Sequence, residues 1–118
     1  MDRILIRDLS ARCIIGINDE ERREKQDVLI NLTIFADLRK AGLSDKFEDS
    51  VDFRALKKRI LALVEKSSYQ LIEALAEAIA GVCLEDKAIL QVKVRVDKPY
   101  ALRFAKSVGV EITRKRQI

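Results

Sequence analysis

Four stretches of this chain alternate apolar and polar residues with a period of two, and that pattern limits the fold more than anything else in the sequence. Leu9, Ala11, Cys13 and Ile15 alternate with Ser10 and Arg12, and Gly16 follows. Val28, Ile30, Leu32, Ile34 and Ala36 alternate with Asn31, Thr33 and Asp37. Leu90, Val92, Val94 and Val96 alternate with Gln91, Lys93, Arg95 and Asp97. Val108, Val110 and Ile112 alternate with Ser107, Gly109, Glu111 and Thr113. Side chains of a strand point to opposite faces in turn, so each stretch reads as a strand with one dry face and one wet face. Such a sheet needs a cover on one side only.

The cover lies between the second and third strands. Asp52 can cap a helix in which Leu56, Ile60, Leu63 and Val64 form one apolar stripe. After a break at Ser67-Ser68, the Ser67–Gln70 spacing predicts a capping box for a second helix. That helix carries Ile72, Leu75, Ala76, Ile79 and Cys83 on one face. "NDEERREKQ" reads as a charged connection, and "DLRKAGLSDKFEDSV" as a polar one with a helical turn at most. The order is ββααββ, an α+β class: a four-stranded antiparallel sheet with two helices on one face. The other face carries Arg12, Asn31, Thr33, Lys93, Arg95, Glu111 and Thr113, which suits water or a polar lumen. So small a sheet has two open edges. Edge-to-edge pairing into a ring would remove them, so a symmetric oligomer is expected.

At 118 residues the chain is expected to be a single domain, 1–118. Its 23 basic and 19 acidic residues are interspersed and leave a net charge of +4, weak grounds for a nucleic-acid partner. Arg114-Lys115-Arg116 reads as a solvated basic end. There is no histidine, which removes Ser-His and Cys-His catalysis and histidine-based metal sites. The two cysteines, Cys13 and Cys83, make neither a zinc site nor a disulfide framework. Both fall on apolar faces and read as buried thiols of a reducing compartment. With no membrane-length apolar run and no signal-peptide pattern at the start, the cytoplasm is the expected location.

Acid-base work then falls to Lys, Glu, Asp, Tyr or Cys. Lys98 ends a strand and precedes the only proline, and a lysine desolvated there can act as a base. Glu73, in the first turns of the second helix, can accept two parallel N–H bonds from an amidine-like edge. Glu20 and Glu21 sit in a charge run that reads as a solvated loop. Phe53 opens the first helix, as core or as a stacking platform.

"IIGINDEE", "QDVLINLTI", "DFRALKKRILALVE", "YQLIEALAEAIA" and "VDKPYALRFAKSVGVEI", in that order and spacing, resemble the dihydroneopterin aldolase and dihydroneopterin triphosphate epimerase family. The resemblance implies the tunnelling fold, in which ββααββ subunits join their sheets into a ring or barrel and rings stack in pairs. It implies a homo-oligomer, tetramer or octamer, with active sites between subunits. By residue, it implies that Glu73 anchors the pterin ring, helped by the backbone at Ile72. Lys98 is then the catalytic lysine, working with a bound water. Glu21 comes from a loop near a neighbouring subunit and holds the substrate side chain or the water.

The implied activity is a carbon–carbon lyase reaction of folate biosynthesis. It converts 7,8-dihydroneopterin into 6-hydroxymethyl-7,8-dihydropterin and glycolaldehyde. The dihydropterin supplies its own electron sink, so no cofactor and no metal are expected. Phe53 stands where the family usually has a tyrosine, so a phenol donor is missing. Slow cleavage, a substitute donor such as Tyr100 or Tyr69, or reaction of a longer-lived intermediate with oxygen are the competing consequences. The "ALR-A-SV" run leans toward the epimerase branch, with Arg103 or Lys106 facing a triphosphate. A pterin-binding protein with impaired catalysis is a further reading. RNA binding on the sheet would need exposed aromatics, and only 5% of residues are aromatic, so that reading is disfavoured.

Overall fold

β1 (Asp2–Cys13) and β2 (Gln26–Ala36) form a long antiparallel hairpin in the computed structural model, which describes residues 1–116. The last two positions of the expected 1–118 domain lie outside the described residues. β1 starts well before the predicted strand. Its register breaks between Ile6 and Leu9, where Arg7 and Asp8 together oppose Asn31. Asp8 takes φ 53°, and its backbone N–H donates to Asn31 Oδ1 at 2.9 Å. The bulge switches the inward set from Ile4 and Ile6 to Leu9, Ala11 and Cys13. A strict period of two therefore finds only the second half of this strand. Ile15, read as part of it, lies past its end yet is fully buried.

α1 (Arg39–Ser44) and a 3₁₀ turn at Phe47–Asp49 lie in the polar connection, more order than one helical turn. α2 (Phe53–Lys66) follows, with Asp52 Oδ1 accepting from the Ala55 N–H at 3.0 Å as its cap. α3 (Ile72–Leu84) starts without any side-chain cap. The predicted Ser67–Gln70 capping box does not form. Ser67 closes α2 instead, its Oγ donating to the Val64 carbonyl at 2.6 Å. β3 (Gln91–Pro99) and β4 (Ser107–Lys115) complete an antiparallel sheet of order β1-β2-β3-β4.

α2 packs on β1, and α3 on β3 and β4, so the helices cover one face. The core between the layers includes Val28, Ile30, Ile34, Ile60, Val64, Leu75, Ile79, Val92, Val94 and Val96. Truncating such a side chain costs roughly 2–5 kcal/mol. Both cysteines are buried free thiols, and burial raises both pKa values, Cys83 to about 11. The basic end is not a solvated tail. Arg114 pairs with Glu77 of α3, and Arg116 donates to the Asp86 and Ile89 carbonyls.

The Cα radius of gyration is 15.4 Å, with extents of 51 × 27 × 27 Å. A compact chain of this length would have roughly 13.5 Å. The sheet order leaves β1 and β4 as open edges. Among the described residues, no helix is long and apolar enough to cross a membrane.

Candidate active site

Lys98 shares its parity on β3 with Val92, Val94 and Val96, so it lies on the helix-covered side at the strand's end. Its side chain is only 13% exposed, and Nζ donates to Glu21 Oε2 at 2.7 Å. Glu21 is therefore no solvated member of a charge run, and it meets Lys98 of its own chain. Gln26 Nε2 also donates to Glu21 Oε2, at 3.0 Å, while holding the Ile15 carbonyl at 2.6 Å. The Asn18 N–H reaches Oε1 at 3.3 Å. These donors stabilise the carboxylate, Lys98 first and Gln26 next, and hold its pKa down at about 2. Gly16 makes room for it. Its φ is +127°, and the Glu21 carboxylate occupies the space where any other residue would carry Cβ.

The neighbouring Arg22 joins this loop to the start of α3. Nη1 donates to the carbonyls of Gly16 at 3.2 Å and Tyr69 at 3.1 Å, and Nη2 to that of Ser68 at 2.7 Å. The Gly16 N–H adds a bond to the Tyr69 carbonyl at 3.3 Å. Glu73, on the exposed side of α3's first turn, follows a few residues later. Ile72 buries its side chain in the core and leaves its backbone at the helix start. The start of α3 thus presents the Glu73 carboxylate and the first N–H groups of a helix, and the segment before it is bonded to the loop that carries Glu21.

The dihydroneopterin aldolase family model (FolB) matches residues 4–113. The chain belongs to the dihydroneopterin aldolase family. It is 40% identical, over 95% of its length and 91% of the relative's, to the dihydroneopterin triphosphate 2'-epimerase of Pseudomonas aeruginosa. It is 42% identical over 97% of its length to the folic acid synthesis protein of Dictyostelium discoideum, but spans only 17% of that protein. The crystal structure of Escherichia coli dihydroneopterin aldolase in complex with neopterin superposes with a TM-score of 0.92 at 31% identity, covering 97% of this chain and 99% of that one.

In this aldolase-family chain, Phe53 lies apart from the Lys98–Glu21 pair. It is 53% exposed, not core, and lines a groove with Ile4, Leu38, Ala41, Phe47 and Ser50. Ile4 is near the start of β1, whereas the loop of Gly16 and Glu21 follows its end at Cys13. Nine residues of strand between Ile4 and Cys13 span roughly 30 Å. Tyr100, Arg103 and Lys106 are exposed around the β3–β4 turn, where Arg103 stacks on Phe104.

The expected wet sheet face is a separate concavity of about 590 Å³, lined by Asn31, Thr33, Lys93, Arg95 and Glu111 among others. Asp97 there is buried by a salt bridge to Arg95 and by the absence of a side chain on Gly109. Arg22 and Gln26 escaped the sequence reading, since loop hydrogen bonds leave no periodic signal. A glycine preceding the charge run was the one available hint.

Proposed function

We propose that the chain is a dihydroneopterin aldolase whose proton-transfer pair is Lys98 and Glu21. The observation that carries this reading is the short, largely buried Lys98–Glu21 contact at the end of β3, on a loop that Arg22 ties to the segment before α3. Glu73 accepts the pterin's amino and ring N–H groups as two parallel bonds, and the backbone at Ile72 assists. Glu21 takes a proton from the Lys98 ammonium, and the freed amine, acting with a bound water, takes the proton from the side-chain 2′-hydroxyl. The O–H electron pair becomes the C=O of glycolaldehyde as the C1′–C2′ bond breaks. The electrons of that bond move into the C6=N5 imine, and a proton returned to C1′ gives 6-hydroxymethyl-7,8-dihydropterin.

Phe53 and the Lys98–Glu21 pair share a site only if two copies of the chain supply them, given the length of β1 between them. That supports a homo-oligomeric ring with sites between subunits, built by pairing the free edges β1 and β4. A phenylalanine keeps an aromatic face for the pterin without a hydroxyl donor.

Epimerisation at C2′ is the second reading, favoured by the 40% identity to the Pseudomonas aeruginosa epimerase across nearly the whole of both chains. It uses the same bond cleavage, with the aldehyde re-added to its other face. An anaerobic assay decides between them: dihydroneopterin and its triphosphate are offered separately and products are resolved by chromatography. Glycolaldehyde release is the expected result. Epimer without glycolaldehyde selects the second reading, and no conversion of either substrate contradicts both.

A further inference from the structure

α3 begins without a capping side chain, and the loop before it contains no glycine or proline to fix its path. Something else must set where its first turn sits. Three carbonyls from two separate segments, Gly16 on one side and Ser68 and Tyr69 on the other, converge on the partly buried guanidinium of Arg22. Acidic neighbours abound in this loop, at Asp19, Glu20 and Glu24, yet among the described residues Arg22 forms no salt bridge. A planar fork of fixed donors can span carbonyls in this way, whereas an ammonium acts as a single point. The residue before it in the chain carries the carboxylate that holds Lys98. We propose that Arg22 is a positioning residue that sets the distance between the pterin anchor on α3 and the Lys98–Glu21 pair.

The proposal rests on the reading of Glu73 as that anchor. Arg22 touches no reacting atom. It ties the loop of the proton-transfer pair to the segment that leads into the first turn of α3, where Glu73 lies. Loosening the tie lets the first turn of α3 drift from the loop, so the anchor holds the ring less well. The loss then falls on pterin affinity and KM before it falls on the chemical step.

The test is a fluorescence titration with neopterin, alongside turnover, on wild type, Arg22→Ala, Arg22→Lys and Glu73→Gln. The expected result is a loss of affinity of about tenfold for Arg22→Ala, the scale of one charge-assisted hydrogen bond. Arg22→Lys should lose part of it, with KM raised more than kcat is lowered. Low, non-denaturing guanidinium chloride should restore affinity to Arg22→Ala, while sodium chloride at equal ionic strength should not. If Arg22→Ala fails to fold, Arg22→Lys decides by the same KM-against-kcat split. Wild-type affinity in the Arg22 variants together with weakened binding by Glu73→Gln would overturn this proposal alone. Unchanged affinity in Glu73→Gln would overturn the anchor reading and the proposal with it. A fall in thermal stability without guanidinium rescue or KM effect would reduce Arg22 to a structural clamp.

Discussion

Lysines at strand ends are common on protein surfaces; Lys98 differs because its ammonium nitrogen sits 2.7 Å from a carboxylate and its side chain is mostly out of water. Position beside the only proline was enough to single it out in the sequence. Glu21 came from the family resemblance alone, because four acidic residues in "NDEERRE" look alike until the loop folds. The pair has a measurable pH signature. The Glu21 pKa falls from an ordinary value of 4.5 to about 2, so its contribution to stability is full above 4.5 and disappears as pH drops through about 2. The difference in urea midpoint between wild type and Glu21→Gln should therefore shrink steadily across that range. A difference that stays constant down to acid would place the carboxylate away from Lys98.

Elements were legible where a single period governs them, as in β2, β3, β4 and the stripes of α2 and α3. They were illegible where geometry interrupts the period. The Arg7–Asp8 bulge hid half of β1, and the capping box expected before α3 does not form because Ser67 closes α2 instead. The loop between β1 and β2 depends on one backbone position. Gly16→Ala introduces a side chain at φ +127° and pushes it into the Glu21 carboxylate. Strain of this kind costs about 1–3 kcal/mol. The variant should melt earlier and lose turnover more than Glu73-dependent pterin affinity. Wild-type turnover in a folded Gly16→Ala protein would show that the Glu21 position is not critical.

At the scale of the whole molecule, the chain is more elongated than its residue count requires, and its sheet ends in two free edges. The wet face and those edges were evident from alternation alone. The separation of Phe53 from Lys98 was not, since it depends on the full length of β1, whose first half the bulge concealed. A site assembled from two copies would bring the two ends of that hairpin together. Its chemistry nonetheless turns on one side chain. The most direct test is anaerobic glycolaldehyde release from dihydroneopterin by Lys98→Ala, with pterin affinity measured on the same preparation. The account predicts a fall of at least about 100-fold in cleavage, the scale of a lost proton-transfer group, with affinity nearly unchanged. Cleavage at the wild-type rate would contradict it.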